Sequence, residues 1–246
     1  MRAMKRAALA TTLGVAVTAL TSCSAQTKHE WKNLAMPDPG TEEAWLIFDF
    51  WRWSWVALMI GGIITWDLMF WAVWAYRRRS ANDVPVQTRY NLPLEIFYTI
   101  VPVIMIVVMF FHTVKIQNEV TALSDDYTTK IAVTAQQWNW TFNYMDEEVG
   151  EGQNIYNYGT ASYIPTLVLP VDEKIRFELH SPDVIHSFWI TGFLYKEDVI
   201  PGKVNEFEVT PNVIGEFKGK CAELCGASHA RMLFNVEVVS REDYDA

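Results

Sequence analysis

Two long apolar runs, residues 53–76 and 96–114, limit what this chain can become. A helix rises about 1.5 Å per residue, so the first run is long enough to cross a hydrocarbon core of about 30 Å, and the second just reaches. In lipid no water is available to an unpaired amide, so each run is expected to be helical. Together they read as a transmembrane hairpin over residues 51–114. Trp51, Trp53 and Trp55 at one end of the first run, and Trp71 and Trp74 at the other, suit the two membrane interfaces. Arg77, Arg78 and Arg79, with Arg89 in the same short connection, mark its cytoplasmic side, so both outer ends of the hairpin lie outside. Asp67 is costly at its depth unless it faces protein or water, and is expected against a partner subunit. Pro102 in the second run is tolerable, because neighbouring helices absorb the missing hydrogen bond.

Residues 1–22 read as an export signal: Arg2, Lys5 and Arg6 precede a mildly apolar stretch ending in Leu20-Thr21-Ser22-Cys23. Those last four residues resemble a bacterial lipobox, which implies cleavage before Cys23 and lipidation of that cysteine. Residues 23–50 are polar, with Pro37, Pro39 and Gly40, and read as an extracytoplasmic linker. The expected location is the bacterial cell membrane, with both termini outside the cytoplasm.

From residue 115 the pattern changes to short alternating runs, such as Ile131-Ala132-Val133-Thr134-Ala135 and Ile175-Arg176-Phe177-Glu178-Leu179, separated by Gly, Pro, Asn and Asp. Period-two patterning of this kind predicts an antiparallel β-sandwich over residues 115–246. The formal net charge of −9 excludes a nucleic-acid partner, since no large basic face is available to neutralise phosphates. Residues 115–246 carry 21 acids against 10 bases. Asp146, Glu147, Glu148 and Glu151 cluster among them, which suits electrostatic steering of a basic partner.

The richest chemistry lies in Cys221-Ala222-Glu223-Leu224-Cys225-Gly226-Ala227-Ser228-His229-Ala230-Arg231-Met232. Two thiols, an imidazole and a thioether form a soft donor set that favours copper over cations preferring oxygen. A zinc site of four strong ligands and a Cys221–Cys225 disulfide are the alternatives, with Met232 weighing against zinc. Upstream, Ser181-Pro182-Asp183-Val184-Ile185-His186-Ser187-Phe188-Trp189 adds a second histidine, at the end of a strand-like run in a loop of turn-forming residues.

The Cys-x-Glu-x-Cys-x-x-x-His-x-x-Met loop, following Asp-Val-x-His-Ser-Phe, closely resembles subunit II of the haem-copper cytochrome c oxidases. That resemblance implies a cupredoxin-like sandwich holding the binuclear copper centre CuA. Cys221 and Cys225 would bridge two coppers, His186 and His229 would bind one each, and Met232 and the backbone carbonyl of Glu223 would be the weak axial ligands. The Glu223 side chain would share a magnesium ion with subunit I, as a hard carboxylate ligand suits. Phe217 and Phe234 on the flanking strands are expected to hold the loop. The run Gln136-Gln137-Trp138-Asn139-Trp140-Thr141-Phe142-Asn143-Tyr144 alternates aromatics on one strand face, which ordinarily means core packing. Its resemblance to the family's Gln-Trp-x-Trp-x-x-x-Tyr segment implies that Trp138 admits electrons from cytochrome c. Leu94-Glu95-Ile96-Phe97-Tyr98-Thr99-Ile100-Val101-Pro102 likewise resembles the family's second-helix motif, which puts Glu95 at the mouth of a proton channel. Physics alone reads Glu95 as an interfacial carboxylate.

The implied partners are oxidase subunit I, other oxidase subunits, and cytochrome c or a haem c-bearing donor subunit. The chain has no Cys-x-x-Cys-His, so the donor is expected to be a separate protein or subunit. The implied activity is that of the whole complex: electrons pass from CuA to haem in subunit I, where O2 is reduced to water and protons are pumped. A membrane-anchored copper-delivery protein is the alternative. It would need the ligands but neither Glu95, Trp138 nor a docking helix pair.

Overall fold

A computed structural model of the chain describes residues 31–80, 82–148, 154–160 and 162–246. The export signal and Cys23 lie outside them, as do the side chains of Asp146, Glu147, Glu148 and Glu151. Residues 31–38 close a turn of their own, in which the Asn33 amide donates to Asp38 at 2.7 Å.

Helix α1 spans Glu42–Ala75, and α2 spans Leu92–Val120. Both are long and apolar enough to cross a membrane. α1 begins inside the stretch read as linker, because Thr41 caps it: its hydroxyl accepts from the Ala44 amide at 3.0 Å, and Glu42 and Glu43 sit at the positive helix end. These first turns bury Ala44 and Phe48 against the rest of the chain, which is why they lack the uniformly apolar look of the run that follows. The other end of the hairpin is also capped. Asn91 accepts from the Leu94 amide, and the Glu95 carboxylate accepts from the Asn91 amide at 3.0 Å. Pro102 sits inside α2 without ending it.

The remainder folds as a β-sandwich of ten strands: β1 Thr129–Gln136, β2 Asn139–Glu148, β3 Asn154–Tyr158, β4 Thr166–Pro170, β5 Ile175–His180, β6 His186–Ile190, β7 Tyr195–Val199, β8 Asn205–Val209, β9 Gly215–Cys221 and β10 Leu233–Val239. One sheet runs β3-β2-β1-β5-β8 and the other β4-β10-β9-β6-β7. The sheets are mixed, contrary to the antiparallel expectation: β1 lies parallel to β5, and β10 parallel to β4. Strand alternation fixes which face is buried but not the direction of a neighbour, so these crossovers leave no mark in the pattern. The architecture is cupredoxin-like.

Between the sheets lies an aromatic core of Trp140, Phe142, Phe177, Phe188, Phe207 and Phe234. Phe188 and Phe234 stack at 4.9 Å, nearly parallel, across β6 and β10. Gly219 on β9 makes room for them, since a Cβ there would meet the Phe234 ring at 2.0 Å. Phe234 thus supports the strands that carry the cysteine loop. Phe217 does not: it packs on Phe193 and over Gly40, at the approach to α1.

Both membrane helices are fastened to β8 and the residues just after it. At the α1 end, the Thr210 amide donates to Glu43, and Thr210's carbonyl accepts from Glu42, both at 3.0 Å. Beyond α2, Ser124 donates through its amide and its hydroxyl to Glu208, at 3.1 and 2.8 Å. Arg176 holds the same carboxylate through Nε and Nη2, at 2.9 and 2.7 Å. Burial would raise the Glu208 pKa, but the hydrogen bonds from Ser124 and Arg176 outweigh it and hold the carboxyl below its usual range.

Candidate metal centre

Four elements deliver the donor atoms. β6 opens with His186, which is fully buried on the strand rather than carried in the preceding loop, which ends at Ile185. β9 ends on Cys221, the following loop holds Cys225, a short helical turn begins at His229, and Met232 directly precedes β10. The loop is pinned at its ends, with the Cys221 amide donating to the Met232 carbonyl and the Ala222 amide to the Ser187 carbonyl, both at 3.0 Å.

The donors form an ordered chain. His186 Nδ1 lies 3.9 Å from Cys221 Sγ, the two sulfurs are 3.7 Å apart, and Cys225 Sγ lies 3.6 Å from His229 Nδ1. The outer positions are filled by the Glu223 carbonyl, 3.2 Å from Cys221 Sγ, and by Met232 Sδ, 3.8 Å from Cys225 Sγ. A disulfide needs about 2.05 Å, so both cysteines are free thiols here. His186, Cys221 and Cys225 form the group able to hold a metal among the described residues, and all three are buried.

The electrostatics favour an incoming cation. Burial alone would raise the Cys221 pKa, yet hydrogen bonding from His186 and from the backbone of Ser187 and Glu223 lowers it. Burial and the neighbouring Cys221 charge both raise Cys225. One thiolate is therefore supported without metal and two are not. Two buried thiolates at 3.7 Å require positive charge between them. This donor set fits copper: sulfur and imidazole with a thioether and a carbonyl at the ends is soft, and has weak outer positions that a closed four-ligand zinc site lacks.

Three residues that the sequence placed only within motifs, with no role of their own, support the ligands. Asp183 Oδ1 lies 2.9 Å from His186 Nε2 and fixes the ring so that Nδ1 faces the sulfurs. Gln137 Nε2 donates to the Cys225 carbonyl at 2.7 Å, and Trp140 Nε1 donates to the Met232 carbonyl at 3.3 Å.

Trp138 precedes β2 and leaves the aromatic stripe. Trp140, Phe142 and Tyr144 are buried, whereas Trp138 is 39% exposed and its Nε1 donates to the same Cys225 carbonyl at 3.2 Å. Its indole lies over Gly226, whose φ of +121° and close neighbours suit glycine. The Glu223 side chain is exposed. Glu95 lies at the far end of the hairpin, where its described role is the α2 cap, and Asp67 is exposed on α1.

Fold and site together define a cupredoxin-like metal-binding domain carried on a membrane-helix pair. The probable cytochrome c oxidase subunit 2 of Streptomyces coelicolor is 40% identical over 99% of this chain and 86% of its own length. The chain belongs to the cytochrome c oxidase subunit II family. The cytochrome c oxidase subunit 2 of Corynebacterium glutamicum is 34% identical over 99% of this chain and 84% of its own. Residues 129–239 match the family described as cytochrome C oxidase subunit II, periplasmic domain. A solved structure of the periplasmic domain of subunit II of cytochrome oxidase from Bradyrhizobium japonicum covers 50% of this chain and 92% of its own, at 29% identity and a TM-score of 0.44.

Proposed function

We propose that this chain accepts electrons from a c-type cytochrome at a binuclear CuA centre and passes them to haem in subunit I of a respiratory oxidase. There O2 is reduced to water and protons are pumped. The observation that carries this reading is the linear array His186–Cys221–Cys225–His229, with a weak donor beside each sulfur. When bound, the copper pair supplies a one-electron site whose charge is shared across both metals through the thiolates. Cys221 and Cys225 would bridge the metals. His186 and His229 would hold one each, and Met232 and the Glu223 carbonyl would complete them.

The protein's part is to keep this array still. The loop is tied to β6 and β10 by backbone hydrogen bonds, Asp183 aims His186, and Gln137 and Trp138 both hold the Cys225 carbonyl. A site that cannot relax when its charge changes has a small reorganisation energy, which makes electron transfer fast. Trp138 has one edge toward solvent and its Nε1 on the backbone of a ligand, which suits electron uptake from a donor.

The remaining roles belong to the same proposal, the first two from resemblance to the family and the last two from the flanking arginines and the lipobox-like end of the export signal. The Glu223 side chain would bind magnesium with subunit I, and Glu95 would stand at a proton-channel mouth while also capping its helix. Arg77, Arg78 and Arg79 put the hairpin connection in the cytoplasm, with lipidated Cys23 anchoring the outer terminus. Isolation of the assembled oxidase with two coppers per subunit II and a mixed-valence EPR signal is the expected outcome. One copper with an ordinary four-line spectrum would refute the binuclear site.

A further inference from the structure

Residues 115–246 carry ten basic side chains, and half of them are already neutralised. Lys115, Lys130, Lys174, Arg176 and Arg241 each pair with a carboxylate. Lys196, Lys203, Lys218, Lys220 and Arg231 make no ion pair among the described residues, and all five are exposed. They are not scattered. Lys196 on β7 stands opposite Trp189 on β6, Trp189 opposite Lys220 on β9, and Lys220 opposite Leu233 on β10. Neighbouring strands are about 4.8 Å apart, so this row crosses the outer face of the sheet in about 14 Å. Lys220 Nζ lies 4.4 Å from the centre of the Trp189 ring. Lys218, two residues along β9, donates to Asn235 at 2.7 Å.

The row runs into a depression of about 640 Å³ beside the metal loop. Leu233, Arg231, Ser228, Tyr163 and Trp138 are among the residues lining it, and Arg231 is its basic member. Three acids share this sheet face: Asp198, opposite Ser187, lies two residues along β7 from Lys196, and Glu216, opposite Glu237, lies two residues along β9 from Lys218. The face thus joins exposed apolar side chains to cations that make no ion pair among the described residues, the composition of a docking surface for an acidic protein.

Resting on the proposed uptake of electrons at Trp138, we infer that the electron donor seats on this face with carboxylates of its own, paired to Lys196, Lys218, Lys220 and Arg231. The acidic total of the domain points the other way. At physiological salt, however, exposed charges more than about 8 Å apart are largely screened, so the charges nearest the contact decide docking.

The test uses the intact oxidase and two soluble c-type cytochromes of similar potential, one acidic and one basic. The unaltered complex should oxidise the acidic cytochrome with the lower KM. A zero-length carbodiimide should link that cytochrome's carboxylates to Lys196, Lys218 or Lys220. Lys196→Glu with Lys220→Glu should raise its KM by about tenfold or more, as loss of two docking charges does, and lower that of the basic cytochrome. The neutral pair Lys196→Gln and Lys220→Gln should shift both KM values the same way but less, and serves if the reversal prevents assembly. A lower KM for the basic cytochrome, unmoved by either pair, overturns the proposal. Trp138→Ala run in parallel keeps the two readings apart: normal reduction there removes the uptake site, whereas unmoved KM values here remove only the donor's polarity.

Discussion

Cys221 and Cys225 hold their sulfurs 3.7 Å apart, one at the end of β9 and the other in the loop beyond it. That separation is too long for a disulfide and short enough for both sulfurs to reach the same two metals. If both bridge, neither can be spared. Cys225→Ser should lose the mixed-valence centre entirely, and seven-line EPR hyperfine structure surviving in the variant would show that Cys225 is no bridge.

Asp183 acts through His186. Its carboxylate also accepts from the Gln137 amide at 2.7 Å, so it ties the turn before β2 to the turn before β6. Asp183→Asn should weaken copper retention by about 10- to 100-fold, the usual cost of losing a hydrogen bond behind a metal-binding imidazole. Competition with a copper chelator measures this directly, and retention equal to the unaltered protein would remove the orienting role.

Trp138 is half a wall of the metal loop and half a surface. Trp138→Ala should slow reduction by the cytochrome by about tenfold or more, the loss expected for a central interface aromatic, while metal content stays near two coppers. Stopped-flow reduction with parallel metal analysis separates these effects. Equal losses in both would make Trp138 a support of the loop alone.

Glu208 gives a pH-dependent prediction. Its carboxyl is held below the ordinary range in the fold, so its contribution is fully present above the unfolded pKa of about 4.3 and fades as pH falls through the lower folded value. Glu208→Ala leaves Arg176 without its partner at a site where both are largely buried, and should cost about 3–5 kcal/mol. Denaturant unfolding should show that loss at pH 7 shrinking below about pH 4. A loss independent of pH would mean that packing, and not charge, holds this junction.

How much of this was readable in advance depended on what each feature answers to. The two spans are set by bilayer thickness, so the apolar runs located them. Their ends are set by caps and by contact with the sandwich, so Thr41 and the buried Phe48 moved the start of α1 ahead of the apolar run. The cysteine loop stood out as a cluster of soft donor types, and the family motif, not spacing alone, joined His186 to it; the fold brings His186, Cys221 and Cys225 together. The role of Gln137 was not legible: its contacts reach Asp183 and Cys225, 46 and 88 positions away, whereas Asp183 stands three residues from His186 within a motif that named it without giving its role. Trp138 illustrates the same limit. Alternation put it on the core face, whereas β2 begins one residue later and frees its ring to cover Gly226.

The most direct test is elemental analysis and EPR of the native oxidase, purified without added metal. Two coppers in this subunit, with a seven-line mixed-valence spectrum, is the predicted result. Zinc in their place, or a well-folded subunit with no metal between Cys221 and Cys225, would overturn the account.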